Sequence, residues 1–501
     1  MKKKIIGTLI IILLLFIGYS SYNWFFENES ASNPELSHGE VNIENLYNTE
    51  EFNGRQFTEY NLTAKEVEWS LGQGQLINAW TYNGTVPGKP LRVTEGNVLK
   101  VNLKNELDVP VTIHWHGAIL PNVMDGVPDL TQEAVQPGET FTYQFVAKHP
   151  GTYWYHSHQQ SSLQVDKGLY GSLVIEDQDQ KNTYDNEQIL ILDEWSTDGN
   201  RESITNMPGM MMGSMSGDGE ADTKEMYDTY SVNGKTGDEI KPIVIKNNEK
   251  ALIRVINAGY QVQKLAFPNG TASVVAYDAS KTIEEKNKTN IVEVAPGERV
   301  DVELTNNQSE PWLITNLTST ESGTTSHVPV LSNPQQNHKS VKPSELTKEK
   351  TVDGSTLGNK ELIFNHTPNN VDVNYEMDLS MGMEMGEGMT FQINEQVFPN
   401  TPPIKVKEGD IVKVEIRNNG RLNHPMHLHG HRFQVVSKNG KVYKDPMVKD
   451  LINVKPGETY EIYFKASNQG EWLFHCHDNN HADRGMMTIV DYEGVFSPYV
   501  K

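Results

Sequence analysis

Short runs of about five to eight residues, rich in Val, Ile, Thr and aromatics and often alternating apolar with polar positions, are broken by Pro-Gly and Asn-Gly along most of this chain. That period of two reads as half-buried strands joined by tight turns. The pattern also repeats. Val135-Gln-Pro-Gly-Glu139, Val294-Ala-Pro-Gly-Glu298 and Val454-Lys-Pro-Gly-Glu458 recur about 160 residues apart, each followed by alternating apolar positions. A second repeat precedes each of them: Val93-Thr-Glu-Gly-Asn-Val-Leu-Lys-Val101, Ile245-Lys-Asn-Asn-Glu-Lys-Ala-Leu-Ile-Arg-Val255 and Val406-Lys-Glu-Gly-Asp-Ile-Val-Lys-Val414. Self-similarity at a fixed period indicates repeated structural units, and a unit of that length can bury its own core. The expected fold is all-β, three Greek-key sandwiches in a row. They span 56–178, 179–330 and 360–495, with 27–55 and the polar, Lys-rich stretch 331–359, which carries Pro334 and Pro343, as linkers.

The amino terminus departs from this pattern. Lys2-Lys-Lys4 precedes an apolar run from Ile5 to Gly18, then Tyr22, Trp24, Phe25 and Phe26, aromatics suited to a membrane interface. Residues 1–26 read as an export segment: an uncleaved anchor nearly long enough to span a bilayer, or a signal peptide cut near Gly18 and Ser20. Both place the protein outside the cytoplasm, anchored or secreted. The one cysteine, Cys476, leaves no intramolecular disulfide and no lipid-attachment site. A net charge of -23 argues against nucleic acid and favours cationic partners.

That cysteine lies in the most chemically informative stretch, Glu471-Trp-Leu-Phe-His-Cys-His-Asp-Asn-Asn-His-Ala-Asp-Arg-Gly-Met486. A thiolate, two imidazoles and a weak thioether make a copper site that stabilises both oxidation states. Cys476, His481 and Met486 supply three of those four ligands. On an extended segment Cys476 faces one side while His475 and His477 face the other, so one strand can connect two metal sites. Three more clusters, His114-Trp-His116, His156-Ser-His158 and His424-Pro-Met-His427-Leu-His429, bring the clustered histidines to ten of 16. The middle unit has Asn257-Ala-Gly-Tyr-Gln261 and Glu310-Pro-Trp-Leu-Ile-Thr-Asn316 at the matching places, so the metal belongs to the first and third units, with the second as spacer and wall.

This constellation resembles the multicopper oxidase family, the laccase-like enzymes, over roughly residues 60 to 495. The resemblance implies three cupredoxin-like domains and four copper ions. His424, Cys476, His481 and Met486 would hold the type 1 copper, and His114 and His427 the type 2 copper. His116, His156, His158, His429, His475 and His477 would hold the type 3 pair. A reducing substrate would give single electrons to the type 1 site, and dioxygen would leave the cluster as two waters. Asp125, in Val-Met-Asp-Gly-Val, stands where relatives place a proton-handling carboxylate, although Asp-Gly is also ordinary turn sequence. Many bacterial relatives have a glutamate directly after the second type 1 histidine. This chain has Ala482 there, and Asp483 can substitute only if a one-residue shift keeps it facing the cluster.

The substrate is read from methionine. Ten of the 17 lie in two Gly-rich tracts, Met207, Met210, Met211, Met212 and Met215, and Met377, Met381, Met383, Met385 and Met389. Thioethers select Cu(I), and both tracts read as exposed loops. The i, i+4 spacing from Met377 to Met389 also allows a marginal helix, weakened by Gly382, Gly386 and Gly388. The motifs around His114 and His156 look like the copper-resistance branch, whose members oxidise Cu(I), but Gly420 and Leu422 replace the Asp and Met that some of them carry before the first type 1 histidine. The expected activity is cuprous oxidation in copper tolerance. The alternatives are a laccase for phenols or aromatic amines, an Fe(II) or Mn(II) oxidase, and a non-enzymatic surface copper sink.

Overall fold

The computed structural model describes residues 41–178, 183–197, 227–268, 270–283, 288–321, 326–343, 351–355, 357–384 and 388–500. The amino-terminal apolar segment, the tract 207–215 and Met385 lie outside them. Among the described residues no helix is long and apolar enough to cross a membrane.

Three successive two-sheet units make up the described chain. In the first, a sheet of Gln75–Tyr82, Phe57–Gly72, Val98–Asn105 and Thr140–Val146 accompanies one of Gly88–Thr94, Tyr170–Glu176, Gly151–His156 and His114–His116. The second unit has a seven-stranded and a six-stranded sheet, the third a six-stranded and a five-stranded sheet. Apolar side chains of the first and third units join in one continuous buried cluster, from Leu62 to Tyr492, whereas the second unit has its own.

The sequence repeats are structural repeats. The two repeated stretches become neighbouring antiparallel strands in every unit: Val98–Asn105 with Thr140–Val146, Lys250–Asn257 with Arg299–Asn306, and Ile411–Asn418 with Thr459–Lys465. Each Pro-Gly-Glu closes the turn between them in the same way. Gly138, Gly297 and Gly457 adopt φ of 84°, 82° and 75°, a conformation that favours glycine. The glutamate then accepts the N–H three residues back: Gln136 to Glu139 at 3.1 Å, Ala295 to Glu298 at 2.8 Å and Lys455 to Glu458 at 3.2 Å.

A buried asparagine ends the first strand of each pair. Asn105, Asn257 and Asn418 each donate to two carbonyls and accept the N–H two residues on. In the third unit those partners are the carbonyls of Leu422 and Val454 and the Gly420 N–H, which fix the chain leading into His424. Asn418→Ala should therefore lower stability by about 1–3 kcal/mol, because buried partners are left unsatisfied. The shift in the urea midpoint measures it.

Six strands and two short helices carry the candidate site. They are β1 (His114–His116), β2 (Gly151–His156), α1 (Ser161–Gln164), β3 (Val373–Glu384), β4 (Gly388–Ile393), β5 (His424–Leu428), β6 (Glu471–Cys476) and α2 (Asn479–Asp483).

Three expectations are corrected. The described residues of the second methionine tract, 377–384 and 388–389, are neither loop nor helix but belong to the β3–β4 hairpin, with Met381 opposite Phe391 and Met383 opposite Met389. A spacing of four fits a strand face as well as a helix face, so Met377 and Leu379 are buried, Met381 is half-buried and Met383 is 63% exposed. The linker 27–55 is partly structured: Ile43–Leu46 and Thr49–Phe52 form 3-10 turns whose Ile43 and Phe52 are buried, Phe52 against Val98 and Val146. The linker 331–359 is tied to the second unit. Thr351–Val352 adds a parallel edge strand beside Ile291–Val292, and the Asn359 amide donates to the carbonyls of Ser280 and Lys281.

Candidate metal centre

β5 and β6 lie antiparallel, pairing Met426 with Cys476 and His427 with His475, while β1 and β2 pair His114 with His156. Side chains alternate across each strand. Cys476 and His424 therefore meet on one side of their sheet, and His475 and His427 on the other.

On the first side, the Nδ1 atoms of His424 and His481 are 3.2 Å apart, and Cys476 Sγ is 3.8 and 3.5 Å from them. Atoms sharing one ion at about 2 Å stand at such separations. All three residues are buried. Asp478 caps α2 by accepting the Asn480 and His481 N–H groups, which sets the direction of His481. Met486 is fully buried, and its carbonyl accepts the Cys476 N–H at 3.0 Å. Burial pushes the Cys476 thiol well up and lowers His481 to about 3, so the imidazole is neutral and a cation is needed to hold the sulfur as thiolate.

On the second side eight histidines interleave from two units. His116, His156 and His477 bring one nitrogen each within 4.8 Å of one another, and so do His158, His429 and His475. His114 and His427 group with His116 at the same spacing. The His116 ring stacks on His427 at 3.8 Å and His114 on His429 at 3.9 Å. Trp154 closes one wall, 5.2, 4.3 and 5.4 Å from His116, His156 and His477. The middle unit closes another, where a Cβ on Gly297 would lie 2.8 Å from the His477 ring.

The free nitrogens test the fit. Buried Nε2 atoms of His114, His156, His158 and His427, and both ring nitrogens of His116 and His477, have no hydrogen-bond partner. Each such group costs about 1–3 kcal/mol, a penalty that a metal ion removes. In five of the eight histidines Nδ1 is engaged, which fixes the tautomer. Nδ1–H groups donate to carbonyls in His114 (Asp125, 2.8 Å), His427 (Asp450, 2.8 Å), His156 (Ser157, 2.9 Å) and His475 (Cys476, 2.8 Å). His429 Nδ1–H donates to Asp125 Oδ2 at 2.8 Å. Neutral imidazoles with one buried thiol are a donor set for copper.

Asp125 is both carboxylate and turn. Its Oδ1 lies 3.3 Å from His114 Nδ1, and Gly126 at φ 80° lets the backbone pass Ile113. Asp483 faces elsewhere: it accepts from Ser161 Oγ at 3.4 Å and from the N–H and hydroxyl of Ser162, at the start of α1. One residue along a helix is a rotation of about 100°, so Asp483 does not take the direction of Ala482.

Two residues not singled out from the sequence also belong here. Asp450 Oδ1 lies 3.6 Å from both His116 Nε2 and His427 Nδ1, and Arg299 pairs with Asp450 through two bonds of 2.7 and 2.6 Å. A signal existed for both. Lys449-Asp450 interrupts an apolar strand run, and Arg299 follows Pro-Gly-Glu where the other repeats have Thr140 and Thr459.

Comparison with known proteins agrees with this geometry. Multicopper oxidase family models match residues 63–180, 189–334 and 366–493. Multicopper oxidase MmcO of Mycobacterium tuberculosis is 30% identical, with 86% of each chain covered. A copper resistance protein A homolog of Pseudomonas syringae pv. tomato is 23% identical over 88% of this chain and 93% of its own. Among solved structures, Fet3p, described as a multicopper oxidase that functions in iron import, superposes with a TM-score of 0.75 at 22% identity, covering 88% of this chain and 91% of its own. With its buried thiol, its interleaved histidines and all three units matched, this chain belongs to the multicopper oxidase family.

Proposed function

We propose that this copper enzyme is an extracytoplasmic cuprous oxidase serving copper tolerance, and that the β3–β4 hairpin receives its Cu(I) substrate. One observation carries the substrate. Met383 and Met389 pair at the hairpin rim, Met381 and Phe391 pair one step inward, and the Phe391 ring stacks on His481 at 3.9 Å. Soft thioethers suited to Cu(I) thus lead from solvent to a ligand of the sulfur site. They stand in for the Asp and Met that Gly420 and Leu422 replace. The curated relative named for copper resistance supports the same reading, and the amino-terminal export segment supports the compartment.

His424, Cys476, His481 and Met486 would hold one copper, and the eight remaining histidines would hold three, His114 and His427 one of them. Bound copper would supply one-electron acceptance at the sulfur site and reduction of dioxygen to two waters at the histidine cluster. Cys476 joins the two sites by one peptide unit on each side, and the His475 Nδ1–H···O=C bond to Cys476 adds a 2.8 Å shortcut. Asp125, against His429 and His114, is placed to hold the protons that water formation consumes. Burial of Trp154 and of seven of the eight histidines, with His158 half-buried, keeps bulk water from most of the cluster.

A second reading has its own observation. On the opposite face of β3, Glu376, Asp378, Ser380, Asn394, Glu395 and Asn419 line a cleft of about 490 Å³. Such oxygen donors suit Fe(II) or Mn(II). Oxygen uptake at fixed low free copper separates the readings. Met383→Leu/Met389→Leu should raise KM for buffered Cu(I) about tenfold or more, a change of 1.4 kcal/mol, and leave phenol and Fe(II) turnover unchanged. Equal uptake of Cu(I) by the variant would end the hairpin assignment, and turnover of phenol without added copper would make this a general laccase.

A further inference from the structure

We infer that Arg299, contributed by the middle unit that has no histidine pair, is a positioning residue for the type 2 end of the histidine cluster. The side chain is fully buried and touches all three units. Its Nη1 and Nη2 donate to the two oxygens of Asp450 at 2.7 and 2.6 Å, in the third unit. Its Nε donates to the Thr152 carbonyl at 3.3 Å, on the β2 strand that carries His156 in the first unit. Its own unit adds Asp278, 3.2 Å from Nη1. Only a planar fork reaches two carboxylate oxygens and a carbonyl together; an ammonium presents one point of charge.

What Arg299 holds orients His427 and stands beside His116. The Asp450 carbonyl accepts His427 Nδ1–H at 2.8 Å, and its Oδ1 stands 3.6 Å from both His427 and His116. Gly117, directly after His116, packs so closely that a Cβ would collide with the guanidinium and lie 2.7 Å from Asp450 Oδ2. Lys449 braces Asp278 from behind at 2.6 Å and pairs also with Glu298 at 2.9 Å. Two buried cations thus face three carboxylates, Asp278, Glu298 and Asp450. By contrast, Arg299 makes no contact with Cys476, His424 or His481 among its hydrogen bonds and ion pairs.

The inference rests on the ligand assignment above, and copper content with blue absorption of the unsubstituted protein reports on that assignment separately. The test loads full-length protein and its Arg299→Lys and Arg299→Met variants with copper. It reads blue absorption, total copper and the electron paramagnetic resonance signal of the non-blue cupric ion. The expected result is intact blue absorption with an altered or missing non-blue signal and cluster affinity for copper lowered about 10- to 100-fold. Arg299→Lys should fall between Arg299→Met and the parent. An unchanged signal and affinity would overturn the inference. So would loss of blue absorption in parallel, or failure of both variants to fold, since either makes Arg299 a residue of the fold as a whole.

Discussion

Cys476→Ser yields a folded protein whose oxygen uptake, with any reducing substrate, falls by at least about three orders of magnitude, or about 4 kcal/mol in barrier. The substitution is nearly isosteric in a fully buried site, so packing changes little. The hydroxyl, however, does not give the soft anionic ligand that the two imidazoles 3.5 and 3.8 Å away complete. Electrons then have no acceptor next to His475 and His477. The histidine cluster shares no ligand with the sulfur site, so it keeps its copper. An oxygen electrode and metal analysis of the same preparation check both halves: activity is lost, and about one copper per chain goes with it. Loss of all copper would show that the sites are not separable.

The second large effect falls on Asp125. Asp125→Asn removes the charge and leaves a single acceptor oxygen for His429 Nδ1–H, which the carboxylate holds at 2.8 Å, whereas His114 Nδ1–H stays with the Asp125 main-chain carbonyl at 2.8 Å. Partners that fix ligand tautomers are worth about 10- to 100-fold in affinity or activity, and that is the expected drop in kcat. KM for the reducing substrate should stay constant, because the substrate delivers electrons at the far side of β5 and β6. Steady-state kinetics at saturating oxygen measure the split. A change in KM alone would place Asp125 in substrate binding and remove it from the cluster. Asp125→Glu, which keeps the charge but moves it, tests whether the defect follows position or proton.

Much of this was legible because metal coordination is local along a strand. His475, Cys476 and His477 are consecutive, and alternation alone sends the sulfur and the imidazoles to opposite faces. The repeats were legible for a similar reason: each Pro-Gly-Glu carries its whole turn, the left-handed glycine and the glutamate that closes it, within five residues. The hairpin of β3 and β4 was not. Met377, Met381, Met385 and Met389 satisfy a strand face and a helix face equally, and only pairing with Gly388–Ile393 decides between them. Asp483 was legible as a carboxylate near the site but not in its direction, which depends on α1 of another unit. Arg299 and Asp450, about 150 residues apart, meet only once three units are assembled. A shorter separation, up to 37 residues, hid the asparagine lock of Asn105, Asn257 and Asn418. It recurs once per unit, but its partners lie on other strands and loops.

Coupling of a one-electron site to complete reduction of dioxygen through the single strand β6 is tested by the stoichiometry of turnover, counting buffered Cu(I) oxidised per dioxygen consumed while assaying hydrogen peroxide. Coupling through Cys476 predicts four electrons per dioxygen, no peroxide, and loss of the reaction in Cys476→Ser. Two electrons per dioxygen with peroxide released, or an unchanged rate in Cys476→Ser, would contradict it.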